Sequence, residues 1–273
     1  MANASTAWAV RPLTGTMTAS ATAAGYDPSY VLNDYLGVVW KSPTGAASRT
    51  LTIDLGAGNA AGPDAALFFG CTGAVTAWTL AVDAADSADF ATNYWSAGAA
   101  AQFLAGTTMP THGRGVGYWT AASAPPARRY WRFTFASLAS AAVTVGRLVL
   151  GTRLILERNF GFGAALGVRD FGSFDFSIQG VPLRRRAAKL RTLGVTFSWV
   201  RKDEIIAKVQ PLLEMCAGQE PVALVSDPTA DADRQLRCWF GPMVGDMGAI
   251  WRNAAAWEWR VSMIDLVAIP KAV

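Results

Sequence analysis

In SRTLTIDLG, residues 48–56, Leu51, Ile53 and Leu55 alternate with Thr50, Thr52 and Asp54. A period of two is the imprint of a strand with one face in a core and the other in water. Further strand-like runs follow (AALFFG, AWTLAVDAAD, RRYWRFTF and AVTVGRLVLG), separated by clusters of Gly, Pro, Ser, Asn and Asp. Up to about residue 151 no segment has helical periodicity, and alanine keeps company with Gly, Ser and Thr. Short strands at this spacing fold as a β-sandwich or barrel. With 52% apolar and 16% charged residues among 273, the chain can fill one large core or two ordinary ones.

RRYWRFTF, residues 128–135, sets three arginines among four aromatics. Such a mixture suits nucleic acid, where bases stack on rings and arginine meets phosphate. Read with period two, however, Arg129, Trp131, Phe133 and Phe135 share one face, which places three aromatics in a core. The net charge of +4, from 24 basic and 20 acidic residues, is a mild bias, so no specific nucleic-acid binding is expected.

From about residue 153 arginine becomes frequent and a second set of strands appears: FGSFDFSIQG, LRTLGVTFSWV, LRCWFGPMV and WEWRVSMIDLV. Between them, Ile205, Ile206, Val209, Leu212, Leu213 and Cys216 recur at helical spacing and predict one amphipathic helix at about 203–217. Asp203 and Glu204 suit its N-terminus, Gly218 suits its end, and Pro211 interrupts it. The expected fold is mainly β, with a domain at 1–152 and a β-rich domain with one helix at 153–273, packed on each other.

The uncharged stretch 65–82 reads as two buried strands about a Cys-Thr-Gly turn, not as a membrane span. The N-terminus has no signal-peptide pattern. Cys71, Cys216 and Cys238 are odd in number and widely spaced, which predicts buried free thiols of a reducing cytoplasm and no metal site.

Asp34, Trp40 and Ser42 in VLNDYLGVVWKS, then LTIDLG, RRYWRFTF and VGRLVLG, occur in the order of a known family. Over residues 17–151 this resembles a galactose-binding-like jelly roll of the discoidin kind. The resemblance implies the fold without a particular glycan or lipid, since the loops that present binding residues in that family are here mostly Ala, Gly, Ser and Thr. The second half, through its strand–helix–strand order, EPVALVSDPTADADRQLRCWFG and WEWRVSMIDL, resembles C-terminal parts of tail proteins from long-tailed bacteriophages. That resemblance implies a distal-tail or baseplate protein that forms rings in the tail tip.

Catalytic chemistry finds little support. His112 is the single histidine, and no GxSxG elbow accompanies it. Asp83, Asp86 and Asp89, and Asp227, Asp231 and Asp233, could pair as glycosidase carboxylates or hold calcium, but their turn-rich settings favour solvated loops. FGFGAALG lacks the strand–helix context of a dinucleotide loop and reads as an interdomain turn. Trp95, Tyr118 and Trp119 are candidates for sugar stacking, against the plainer role of core plugs. Arg184, Arg185, Arg186, Lys189 and Arg191 are candidates for a subunit interface, against a solvated basic loop or contact with DNA in a tail lumen.

The expected function is therefore non-enzymatic. It is a virion component made in the host cytoplasm, without cofactor or metal, forming a threefold or sixfold ring that joins the tail tube to hub or fibre proteins. A host-surface glycan is a further candidate partner, and no membrane is involved. The alternative is a stand-alone carbohydrate-binding protein of the lectin type.

Overall fold

A computed structural model describes residues 6–216, 218–245, 248–253 and 255–267. The chain is mainly β and divides into two compact units. The first comprises Ala2–Ile155 with Val222–Trp239, and the second Leu156–Pro221 with Phe240–Val273. Residues 222–239, read from the sequence with the second half, thus count with the first unit.

Strands of the first unit begin with β1 (Trp8–Val10), β2 (Thr16–Ala19), β3 (Trp40–Lys41), β4 (Arg49–Asp54), β5 (Ala65–Thr72) and β6 (Thr79–Ala85). They continue with β7 (Trp95–Ser96), β8 (Ala101–Gln102), β9 (Arg114–Thr120), β10 (Tyr130–Ala136), β11 (Thr144–Val145), β12 (Arg147–Gly151) and β13 (Arg153–Ile155). A six-stranded sheet runs β2-β4-β10-β6-β7, with β8 also on β6, and a three-stranded sheet runs β12-β5-β9. From β4 to β6 the chain passes from the larger sheet to the smaller and back, and from β9 to β12 it passes from the smaller to the larger and back, the winding of a jelly-roll sandwich.

The alternation seen in the sequence explains the core between these sheets. Leu51 and Ile53 of β4, and Trp131, Phe133 and Phe135 of β10, are fully buried. Phe68 meets Phe133 edge-on with ring centroids 5.2 Å apart, and Phe103 meets Phe135 at 5.2 Å. Phe103 lies between β7 and β9 in a stretch of mostly small residues, yet its ring is fully buried and plugs the core. A Cβ at Gly117 would collide with it, so glycine is required there for close approach.

The three-stranded sheet is covered on both faces. β18 (Val222–Val225) and β19 (Cys238–Gly241) extend a further sheet of order β13-β1-β18-β19. Trp8 of β1 packs on Tyr118 of β9, at 6.0 Å between rings. Gln235 is fully buried; its Oε1 accepts from Val116 N (2.9 Å) and its Nε2 donates to the Gly106 carbonyl (2.7 Å). Burial on two faces explains why AALFFGC is uninterruptedly apolar. The uncharged stretch 65–82 is thus β5 and β6, which lie in different sheets. Among the described residues, no helix is long and apolar enough to cross a membrane.

The second unit contains β14 (Ala165–Asp170), β15 (Ser173–Phe176), β16 (Pro182–Arg185), β17 (Lys189–Arg201), β20 (Ala249–Trp251) and β21 (Ala256–Ile264). One sheet has the order β14-β17-β21-β20, and β15 pairs with β16 alone. Leu193, Val195 and Phe197 alternate into a core with Trp259, Val261 and Met263. A bulge after Phe197 breaks the β17–β21 register and holds Trp199 in the left-handed region at φ 61°.

The predicted helix is present as α1 (Lys202–Glu204), a π-helical turn at Ile205–Val209, and α2 (Gln210–Cys216). Pro211 has no N–H for the Ala207 carbonyl and its ring crowds that carbonyl; the wider turn, with Gln210 N donating to the Ile205 carbonyl, relieves both. The extra residue in the turn shifts the apolar face. Ile205, Val209, Leu212 and Cys216 are buried, whereas Ile206, predicted on that face, is 53% exposed. Gly218 has φ +73°, as its place past the helix requires, and Ala217 lies outside the described residues. Cys71, Cys216 and Cys238 are buried, and burial pushes the Cys71 thiol up to about 12.

Candidate functional site

Trp119 and Tyr118 are neighbours on β9, so a strand's alternation sends them to opposite faces of the three-stranded sheet. Trp119 turns inward. Its ring lies 6.3 Å from Trp131, and Trp131 in turn lies 5.6 Å from Trp95. Trp95 reaches this place because β7 pairs with the end of β6, Trp95 opposite Ala84. The two tryptophans line one open cleft of about 240 Å³, completed by Ser96, Thr120, Ser123 and a run of alanines. Trp95 is half-buried and Trp119 is 8% exposed, so Trp95 forms a wall and Trp119 the floor.

Tyr118 is not part of that cleft. Its ring faces the outer layer with Trp8 on one side and the Arg234 guanidinium 4.1 Å away. Desolvation holds its hydroxyl above the ordinary tyrosine range. Two of the three aromatic candidates therefore converge and the third serves a different pocket. Ser96, Thr120 and Ser123 were not singled out from the sequence, because a hydroxyl among small residues has no pattern of its own.

The basic candidates divide as well. Arg184 and Arg185 end β16, and with Arg186 and Lys189 they line a cleft of about 410 Å³ beside Phe174 and Asp170. Arg184 stands over the Phe174 ring at 5.4 Å, and Lys189 pairs with Asp170 at 3.6 Å. Arg191 is committed inward: its Nε donates to the fully buried Asp265, 2.9 Å away.

The groups weighed for catalysis are engaged with neighbouring groups of the scaffold. His112 Nδ1 accepts from the Arg114 N–H at 3.2 Å. Asp83 accepts from Tyr94 Oη (2.7 Å) and Arg132 Nη2 (3.0 Å), which raises the Tyr94 hydroxyl's pKa. Asp86 pairs with Arg128 at 3.7 Å, and Asp89 accepts from Ser87, which lowers its pKa. Asp227 and Asp231 both pair with Arg237, whose hydrogen bond holds the Asp231 carboxyl low, while Asp233 precedes the short 3-10 turn Arg234–Arg237. Among the described residues no group of three or more His, Cys, Asp or Glu could hold a metal ion.

Every arginine of RRYWRFTF also has a carboxylate: Arg128 with Asp86, Arg129 with Asp54 at 2.6 Å, and Arg132 with Asp83. Little free charge remains there for a phosphate. The discoidin-like letters prove equally architectural. Arg147, 6% exposed, pairs with Asp34 at 3.2 Å; Trp40 is fully buried; Ser42 Oγ accepts from the Val143 N–H at 3.0 Å.

No known family matches the chain, and no curated protein is similar to it in sequence. Among solved structures, it is similar to chitosan-binding module 1 of a chitosanase/glucanase from Paenibacillus sp. IK-5 (14% identity, 51% of this chain and 96% of the module, TM-score 0.39). It is also similar to the family 32 carbohydrate-binding module of NanJ from C. perfringens, in complex with galactose (15% identity, 53% and 98%, TM-score 0.39). A third is module CBM32-1 of a family 31 glycoside hydrolase from Clostridium perfringens (15% identity, 52% and 99%, TM-score 0.39). Each spans about half of this chain, and the tail-protein resemblance of the second half has no counterpart among these three. Likeness at this level carries no functional argument; the sandwich stands on its own strand order.

Proposed function

We propose that the chain is a non-catalytic carbohydrate-binding protein that holds a neutral sugar in the cleft between β7 and β9. The observation that carries this reading is the convergence of Trp95 and Trp119 on one cleft otherwise lined by uncharged, mostly small residues that include Ser123. Flat indole rings pack on the C–H faces of a sugar, and hydroxyls fix its orientation. Among the described residues, the carboxylates weighed for hydrolysis, such as Asp83, Asp86 and Asp231, are paired with arginines. The test is a glycan array probed with wild type and Trp95→Ala. Binding that the variant loses, with an unchanged melting curve, is expected; an empty array, or hits indifferent to Trp95, overturns the reading.

A second reading, assembly into a tail-tip ring of a long-tailed bacteriophage, is favoured by a different observation. Strands β14, β15 and β16 are exposed at every residue, although they carry Leu166, Val168, Phe174, Phe176 and Leu183. Uncovered apolar strands mark a surface that another chain buries. Light scattering of the purified protein decides it: a mass several times 28.9 kDa supports assembly, and a stable monomer that also fails to associate with co-expressed tail proteins removes it.

A further inference from the structure

The pocket on the far side of β9 differs in chemistry from the tryptophan cleft. It has a volume of about 350 Å³, and its lining includes Trp8, Tyr118, Thr120, Arg153, Pro228 and Arg234. Two guanidinium groups face it with one carboxylate between them. Arg153 is neutralised by Asp64, its Nε donating to Oδ2 at 3.1 Å and its backbone N–H to Oδ1 at 2.7 Å. Arg234 has no carboxylate within ion-pair distance among the described residues, because the nearby Asp227 and Asp231 both go to Arg237.

Arg234 is nevertheless held firmly. Its Nε donates to the Ala105 carbonyl (2.7 Å), its Nη1 to the Pro228 carbonyl (3.4 Å), and its plane lies over Tyr118. A guanidinium whose side chain is already ordered loses little entropy when an anion arrives, and its fork matches a carboxylate. Thr120 and the Tyr118 hydroxyl add hydrogen-bonding groups, and the Trp8 and Tyr118 rings add an apolar wall.

We infer that this pocket binds a monoanionic, carboxylate-bearing ligand of monosaccharide size, a sugar acid, with Arg234 as the group that recognises the carboxylate. One uncompensated positive charge matches one negative charge; a dianionic phosphate would leave a charge unpaired in a partly desolvated site. The inference deepens the carbohydrate-binding reading but rests on Arg234, on the other face of β9 from Trp119, so each can fail alone.

The experiment titrates glucuronate, glucose and acetate separately into ¹⁵N-labelled protein and follows the backbone and indole N–H signals. Saturable shifts at Trp8 and around Arg234 with glucuronate, weakening with added salt and matched by none from glucose, are expected. Acetate shifts the Arg234 region alone and more weakly. Arg234→Gln lowers glucuronate affinity about tenfold or more, and Arg234→Lys, which keeps the charge and tests for misfolding, lowers it less. Equal binding of glucose, no saturation at millimolar glucuronate, or a loss on Trp95→Ala without one on Arg234→Gln overturns the inference.

Discussion

The sandwich strands β5 and β10 and the strands β14 to β16 of the second unit all carry aromatic or aliphatic residues, but these meet opposite fates. Trp131, Phe133 and Phe135 of β10 are fully buried, and β5 is covered on both faces. Leu166 and Val168 of β14 stand opposite Leu193 and Arg191 of β17, so they continue the face on which Leu193 is buried, yet they themselves are exposed. Apolar residues define a face; only a second layer makes that face a core. Where the chain supplies the layer, letters such as RRYWRFTF are architecture. Where it does not, the same kind of letters form a surface for something else.

The comparison can be broken most sharply by truncating one ring in each region. Phe133→Ala should destabilise the sandwich by about 3–5 kcal/mol, whereas Phe176→Ala should change stability by less than about 0.5 kcal/mol. Denaturant titration checks both, and equal effects would erase the distinction. The second unit should still have its own anchor. Arg191→Ala strands the buried Asp265, whose carboxyl burial already pushes up, and should cost about 3 kcal/mol in the same assay.

A smaller effect concerns acid. The Arg129 guanidinium holds the Asp54 carboxyl below its ordinary value. A depressed folded-state pKa contributes stability above the unfolded value of 3.8 and loses it as pH falls through the folded value. Stability measured from neutral pH down below that value should therefore fall less steeply in Asp54→Asn than in wild type. Smallest of all, Trp199→Gly should raise stability by less than about 1 kcal/mol, because glycine accepts the left-handed backbone without strain. A loss instead would mean that the exposed indole is held by contacts worth more than its strain.

Alternation made β4, β10 and β17 legible in the sequence, and the resemblance placed the sandwich. Three features were not legible for physical reasons. VALV at β18 is apolar throughout, so no periodicity says which sheet it joins, and its pairing with β1 came only from the structure. Arg234 stood in a polar turn-rich segment, where nothing local shows that both neighbouring aspartates go to Arg237. Pro211 hinted at an irregular helix, but not that a π turn would expose Ile206. Of the aromatic candidates, Trp95 and Trp119 met because β7 and β9 lie at neighbouring sheet edges, a fact of topology that spacing along the chain does not carry.

The central claim is that Trp95 and Trp119 together hold a neutral sugar. It is tested most directly by following the indole N–H signals of all tryptophans during titration with a neutral glycan selected on the array. The account predicts saturable shifts of Trp95 and Trp119 with Trp8 unmoved, and their loss in Trp95→Ala. Shifts confined to other tryptophans, or binding that survives Trp95→Ala undiminished, would contradict it.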